Sequence, residues 1–331
     1  MKPHYKYWPA RVPHHITPPA TTLWDNLAFS AKRFPHKTAL QFLGSTLSYQ
    51  QLTHQAERIA AWLHAQGVQK GDRVLLDMQN CPQLVAAHFG ILRANAVVVP
   101  VNPMNRAKEL EHYITDAQAR IAITTADVAA EMAAASDALP EGEGLQHLLV
   151  THYSDAFDPL SQAQEAWPLS WQAWLTQRIE LPVFKGGQSH DWTQVQANTL
   201  ALPALTVTPS DLAILPYTSG TTGLPKGVVL SHRGLLSTSR TVSHEWGFGA
   251  EGVLGNPLPT FHVAGITLLL LTLYTGGQTI AYSEFDPASF LNSVAAQGIT
   301  HAFLVPAMLL FLFQTPDANK RDYSTLKLIA Y

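Results

Sequence analysis

The sequence predicts an α/β protein made of two packed subdomains, each built on a mostly parallel sheet flanked by helices. Short β-rich runs alternate with longer helical patterns over most of the 331 residues, which favours parallel strands covered on both faces. Apolar residues make up 47% of the chain, enough to fill two cores of ordinary size. The single cysteine, Cys81, excludes an intramolecular disulfide, and we expect it to be a small buried residue.

The first predicted subdomain covers residues 1–205. A helix is predicted over 49–67 because apolar residues recur on one helical face and Gly67 supplies a stop signal. Pro82 opens a second helix. The regular alternation is lost in an elaborated segment over 135–205, apart from one short strand and one short helix. The predicted strands of this part are 72–78, 97–101, 119–125 and 146–150.

The second predicted subdomain, 206–331, resumes the alternation. The chain stops inside an apolar β-type run, so we expect this subdomain to be cut at its C-terminal end. Helices are predicted over 232–246, after Gly265 and over 286–297. The predicted strands are 211–217, 227–231, 252–256, 278–282, 300–305 and 327–331.

Charge and hydropathy exclude several classes of protein. A net charge of −3 without a basic run argues against nucleic-acid partners. The two most apolar stretches, 264–274 and 301–313, are shorter than a transmembrane span, and we expect both to be buried core elements. The N-terminus lacks the apolar run of a signal peptide, so a cytoplasmic location is predicted.

The stretch YTSGTTGLPKG, residues 217–227, is typical of a loop that binds phosphate. Its glycines are expected to take positive φ values, which would let the backbone approach a ligand closely, and Lys226 adds a positive charge. The hydroxyl residues of the stretch are Thr218, Ser219, Thr221 and Thr222, and the glycines are Gly220, Gly223 and Gly227.

Two other interpretations of this loop were considered. The Walker A motif does not fit, because Pro225 stands at its second glycine and Gly227 follows the lysine where Ser or Thr is needed. An exposed Gly/Thr hairpin with an incidental lysine is a common alternative for a generic glycine-rich loop. The full eleven-residue string is more particular than that alternative requires.

YTSGTTGLPKG resembles the signature of the AMP-forming acyl-activating enzymes, which include acyl-CoA synthetases, luciferases and adenylation domains of peptide synthetases. The stretches LSYQQL (47–52), ILRANAVVVPVNP (91–103) and PLPTFHVAG (257–265) also resemble family elements in order and spacing, most closely those of fatty-acid CoA ligases. Asn95 replaces a usual glycine, which Asn tolerates because it also visits left-handed conformations.

The resemblance implies ATP-dependent activation of a carboxylic acid through an acyl-adenylate, followed by transfer to coenzyme A. ATP, Mg²⁺ and coenzyme A as co-substrate are therefore expected. In the family the histidine equivalent to His262 orients the carboxylate, and the lysine equivalent to Lys226 binds the phosphates. His262 and Lys226 are therefore the expected catalytic residues. Thr218 is expected to help to hold Mg²⁺. A gating aromatic of some long-chain relatives is replaced here by Ile266. The expected phosphate-binding residues are Thr218, Ser219, Gly220, Thr221, Thr222, Gly223 and Lys226.

The resemblance also implies missing parts. The adenine loop, the magnesium carboxylate, the ribose aspartate and the mobile C-terminal domain with its lysine follow the equivalent of 327–331. We therefore expect a truncated, inactive N-terminal portion; the alternative is a non-catalytic nucleotide- or acyl-binding module. The leucines of 264–274 favour a medium or long acyl chain, or are ordinary core residues. The partners compatible with the sequence include a second copy in a homodimer.

Overall fold

The structure, a computed structural model, describes residues 3–8, 13–156, 169–218 and 223–331. The strands are β1 Thr38–Phe42, β2 Ser45–Ser48, β3 Arg73–Asp77, β4 Val97–Val101, β5 Ile121–Thr125, β6 His147–Thr151, β7 Gln188–Asp191, β8 Leu212–Ile214, β9 Tyr217–Thr218, β10 Lys226–Gly227, β11 Leu230–Ser231, β12 Val253–Asn256, β13 Gln278–Ala281, β14 His301–Phe303 and β15 Leu328–Ala330. The α-helices are α1 Leu23–Arg33, α2 Tyr49–Ala65, α3 Pro82–Arg93, α4 Ala107–Asp116, α5 Ala129–Asp137, α6 Leu169–Thr176, α7 Trp192–Gln196, α8 His232–Trp246, α9 Val263–Thr275, α10 Pro287–Ala296 and α11 Pro306–Gln314. Short 3₁₀ helices lie at Pro3–Tyr7, Tyr153–Asp155 and Ala318–Lys320.

The strands form two large sheets and one small hairpin. The seven-stranded sheet has the order β11-β8-β4-β3-β5-β6-β7, and its neighbours are parallel except for β11 against β8. The six-stranded sheet has the order β15-β14-β12-β13-β1-β2, and its only antiparallel pair is β1 with β2. The two-stranded hairpin pairs β9 with β10. The predicted fold class, two mostly parallel sheets flanked by helices, is confirmed.

Strands from both sides of residue 205 meet in each large sheet. In the six-stranded sheet Leu40 of β1 is in register with Thr279 of β13, and in the seven-stranded sheet Val98 of β4 is in register with Ile214 of β8. The division of the chain into 1–205 and 206–331 stays a prediction, whereas the hydrogen-bonded layers draw on both parts.

Helices α2 and α3 pack against each other and against strands of the two sheets. Helix α2 begins at a capping box in which Ser48 and Gln51 satisfy each other's backbone N–H groups. Gly90 lies where α3 approaches α2 most tightly, since a Cβ there would stand 2.7 Å from Ile59 Cβ. The largest apolar cluster surrounds this helix pair and extends to α1 and α9. Cys81, immediately before α3, is buried as predicted.

One of the two apolar stretches was interpreted wrongly. Stretch 264–274 forms most of α9, of which eight residues are buried, as predicted. In 301–313, β14 is largely buried, but α11 buries only Leu312 and leaves Phe313 80% exposed. The reason is position: α11 borders a cleft beside the edge strand β15, and no described helix packs over its exposed side. No helix in the described part of the chain is long and apolar enough to cross a membrane.

Two predicted strands are each split by the local hydrogen bonding. Strand 211–217 breaks after Ile214, because Pro216 has no N–H to continue the ladder. Its carbonyl instead accepts from the N–H of Val228, which divides stretch 227–231 into β10 and β11. The result is a separate hairpin that projects beyond the sheet.

Candidate functional site

The stem of the predicted phosphate loop is the hairpin of β9 and β10. Thr218 is the cross-strand partner of Lys226, and Tyr217 is the partner of Gly227. The stem follows the carboxyl end of β8, and ligands of open α/β sheets bind at that edge. The structure therefore brings the two ends of the loop together beside a ligand-binding edge. Four predicted residues lie outside the described part of the chain: Ser219, Gly220, Thr221 and Thr222.

The side chains of Thr218 and Lys226 are both exposed. Among the described residues, none makes a hydrogen bond or ion pair with the Lys226 ammonium. The expected positive φ values are not found at Gly223 or Gly227. Space is limited at Gly227, since a Cβ there would stand 3.0 Å from the side chain of Leu215.

His262 lies on a turn that follows the carboxyl end of β12 and begins α9. Its Nδ1 accepts a hydrogen bond from the N–H of Ala264 at 3.3 Å, so the ring caps the helix. In the neutral ring the proton must then be on Nε2, which is free to donate. The side chain is exposed. The turn is tight, since a Cβ on Gly265 would stand 2.3 Å from the Pro259 carbonyl oxygen.

Asn80 holds this turn in place through two hydrogen bonds. This role was not predicted from the sequence. Asn80 follows β3 in the other sheet and is only 4% exposed. Its amide donates to the Leu258 carbonyl at 2.8 Å and accepts from the Thr260 N–H at 2.8 Å. Asn80 thus joins the carboxyl ends of the two sheets. The available signal was its place after a buried strand and just before the helix-opening Pro82.

A buried carboxyl group lies at the same edge of the seven-stranded sheet. Asp77 is the last residue of β3 and is 1% exposed. Burial, together with the nearby charge of Asp127, raises the pKa of Asp77 to about 8. The described residues contain no group of three or more His, Cys, Asp or Glu side chains that could hold a metal ion. With a pKa of about 8, Asp77 is mostly a neutral acid at neutral pH.

A sequence profile described as "AMP-binding enzyme" matches residues 27–331. The chain belongs to this family. A long-chain-fatty-acid–CoA ligase of Bacillus subtilis (strain 168) is 33% identical over 335 residues, which cover 99% of this chain and 58% of that protein. The chain thus spans somewhat more than half the length of this AMP-binding relative.

Solved structures share the fold of this AMP-binding chain. The inhibitor-bound N-terminal domain of FACL13 from Mycobacterium tuberculosis has a TM-score of 0.75 at 24% identity, with 93% of this chain and 69% of that chain covered. The anthranilate CoA ligase AuaEII in complex with anthranoyl-AMP has a TM-score of 0.78 at 21% identity, with 95% and 55% covered. At these identities the likeness concerns the fold alone.

The substitution of Asn for the usual glycine at position 95 is explained by the geometry. Asn95 has a φ of +64°, the left-handed conformation expected from the sequence. Its side chain also does what glycine cannot, because it accepts from the N–H of Thr206 at 2.7 Å and donates to the carbonyl of Ala204 at 2.8 Å. These bonds tie the segment before β8 to the end of α3.

Proposed function

We propose that this chain carries the phosphate loop and the carboxylate-orienting turn of an enzyme that joins a carboxylic acid to coenzyme A at the expense of ATP. The observation that carries the proposal is the pairing of Thr218 with Lys226 at the stem of an exposed loop, beside the carboxyl end of β8. Family membership and a fatty-acid–CoA ligase relative support it.

The loop would bind the polyphosphate of ATP. The Lys226 ammonium would offset charge on the β- and γ-phosphates as pyrophosphate departs, and the Thr218 hydroxyl would donate to a phosphate oxygen. We propose that the remaining donors come from Ser219, Gly220, Thr221, Thr222 and Gly223.

His262 would orient the acid. Because Nδ1 is engaged by Ala264, Nε2–H points away from the helix cap and can donate to one carboxylate oxygen. The other oxygen attacks the α-phosphorus of ATP, which forms the acyl-adenylate and releases pyrophosphate. The thiol of coenzyme A then attacks the acyl carbon, and AMP leaves. The protein contributes by positioning the reactants and by neutralising charge.

The expected Mg²⁺ fits the described residues poorly. In sites of this kind Mg²⁺ keeps several waters and is held by one or two carboxylates together with substrate phosphates, whereas the described loop stem offers the neutral hydroxyl of Thr218. The structure describes no acidic cluster that could supply the rest. Thr218 stays a proposed ligand, and no step of the reaction is assigned to the metal.

The acid is proposed only as a carboxylic acid of the kind that CoA ligases use. The leucines of α9 are mostly buried core residues, which favours the core interpretation over an acyl-chain lining. Ile266 is also buried, at 1% exposed. The cytoplasmic location, the homodimer and the inactivity of these 331 residues on their own stay predictions. Acid-dependent ATP–pyrophosphate exchange measured on this chain tests the last of them.

The experiment that tests the proposal separates the two half-reactions in a polypeptide that contains these residues and has ligase activity. Lys226→Ala should slow acyl-adenylate formation, by about 2–4 kcal/mol in the transition state, and leave thioester formation from supplied acyl-adenylate almost unchanged. The matched control is Lys108→Ala, since Lys108 is also exposed and its ammonium pairs with Glu111 at 2.7 Å, away from the loop stem.

Rapid-quench measurement of each step decides the outcome. Equal, unaltered rates in the Lys226→Ala protein would reduce the loop to a structural turn. If no polypeptide that contains these residues releases pyrophosphate in the presence of an acid, while its ATP binding depends on Lys226, the alternative of a non-catalytic nucleotide-binding module is favoured.

A further inference from the structure

Helix α4 contacts both ends of the phosphate loop through two side chains one turn apart. His112 Nε2 lies 2.8 Å from the carbonyl oxygen of Pro225, the residue before Lys226. A carbonyl oxygen can only accept, so this nitrogen carries a proton and donates. At the other end, the Tyr217 hydroxyl donates to Asp116 Oδ2 at 2.5 Å. Residues 112 and 116 share a helix face because they are four positions apart.

Aromatic packing strengthens the contact at the entry of the loop. The rings of Tyr113 and Tyr217 are 4.6 Å apart, and the ring of His112 meets Tyr217 edge-on at 5.9 Å. Tyr113 is 9% exposed and belongs to the core cluster beneath. Burial, followed by the Asp116 carboxylate, raises the pKa of Tyr217, so its hydroxyl stays protonated and remains a donor.

The hairpin itself has little means of holding its position. Each of its strands has two residues, and the ladder consists of two residue pairs. Isolated two-stranded hairpins are at best marginally stable even when they are longer. The side-chain bonds from α4 are therefore needed to keep the stem in one place.

We propose that α4 is a positioning element for the loop, in which His112 and Asp116 hold its exit and entry and so set where Lys226 meets a polyphosphate. This inference rests on the proposed function only for its kinetic consequence. The holding contact itself is a property of the loop and can be measured without any reaction.

The first test is hydrogen–deuterium exchange of a peptide that covers residues 223–230. His112→Ala and Asp116→Ala should each increase exchange in this peptide. His112→Gln keeps an N–H donor and Asp116→Asn keeps an acceptor, so both should resemble the wild type. Lys108→Ala is the control on the same helix. Unchanged exchange in both alanine variants would overturn the inference.

The second test is steady-state kinetics in the polypeptide that has ligase activity. Each alanine variant should lower kcat/KM for ATP about fivefold to tenfold, the loss expected for one net hydrogen bond, and leave KM for the acid unchanged. His112→Gln and Asp116→Asn should restore most of it. A merely structural role would not produce this selective effect on ATP with recovery by the conservative variants.

The two proposals fail in different ways. If Lys226→Ala impairs adenylation but neither His112→Ala nor Asp116→Ala changes kcat/KM for ATP, α4 does not position the loop for phosphate and the inference is wrong. If Lys226→Ala leaves acyl-adenylate formation unchanged while both alanine variants loosen the peptide 223–230, the proposed role of the loop in phosphate binding is contradicted and the holding contact is supported.

Discussion

Helices α3 and α11 are both apolar in sequence and differ completely in their surroundings. Eleven of the twelve residues of α3 are buried, from Pro82 to Leu92. Helix α11 buries Leu312 alone and exposes Leu310, Phe311 and Phe313 by 62%, 55% and 80%. Helix α3 lies between α2 and the strands, whereas α11 lines a cleft together with β15, an edge strand of the six-stranded sheet.

The difference teaches that an apolar run predicts burial only when another element is available to cover it. One side of α11 borders a cleft of about 700 Å³ with Leu309 and Leu312 in its lining, whereas Leu310 and Phe311 are exposed. Helix α3, which is also apolar, lies in the middle of the fold and is surrounded by other elements. Composition is a property of the segment, and burial is a property of its place in the layers.

The largest expected effect compares one phenylalanine from each helix. Phe89→Ala in α3 removes a side chain that is 1% exposed and should lower the free energy of unfolding by about 3–5 kcal/mol. Phe313→Ala in α11 removes the same atoms from an exposed position and should change it by less than about 0.5 kcal/mol. Urea unfolding of both proteins measures the difference.

The Phe313→Ala protein also tests whether α11 is exposed in solution. A loss of several kcal/mol in the Phe313→Ala protein would mean that α11 is covered in solution by another chain or another copy. Dependence of that loss on protein concentration would identify self-association as the cause. Equal, small losses at both positions would mean that the layer around α3 is not the main core.

The long elements could be predicted from the sequence because their signals are local. Helix α8 has the predicted limits, from Ser231, which caps it, to the left-handed Gly247 that ends it. The splits at Pro216 and Val228 were missed, since they depend on which strand each backbone group meets. The exposure of α11 was missed because it depends on what lies beside the helix.

The candidate site was predictable to the same extent. The string 217–227 and the stretch around His262 predict a phosphate loop and a carboxylate-orienting turn from residue identity alone, and both stay predictions. Asn80, His112 and Asp116 were not found, because their partners are 100 or more positions away in the chain. No local period or spacing connects residues that only the packed layers bring together.

A buried carboxyl group should also change the pH dependence of stability more strongly than an exposed one. The raised pKa of Asp77, about 8 against an ordinary 3.8, means that the folded protein binds one more proton than the unfolded chain between about pH 4 and pH 8. The contribution of Asp77 to stability should therefore fall as pH rises through this window, by about 1.4 kcal/mol per pH unit. Asp77→Asn should remove that slope.

The matched control is Asp322, an exposed carboxyl group. A backbone hydrogen bond from Ser324 lowers the pKa of the exposed Asp322, so its contribution is lost only below about pH 4. Asp322→Asn should leave the slope between pH 4 and pH 8 unchanged. Urea unfolding at several pH values tests both variants, and an unaltered slope in Asp77→Asn would show that Asp77 is ionised in the folded protein.

The smallest effect compares two residues with the same unusual backbone conformation. Asn95, at the end of α3, and Asp317, after α11, have φ values of +64° and +58°. Replacement of either by glycine relieves the same left-handed strain and adds the same freedom to the unfolded chain, so these terms cancel in the comparison.

The two replacements differ in the side-chain contacts that each one removes. Asp317 loses an exposed ion pair with Lys320, which contributes little, whereas Asn95 loses its bonds to the segment before β8. We therefore expect Asn95→Gly to destabilise the protein by about 1–2 kcal/mol more than Asp317→Gly. Equal unfolding midpoints would mean that the bonds of Asn95 are replaced by water at no cost, and that the asparagine serves only its backbone conformation.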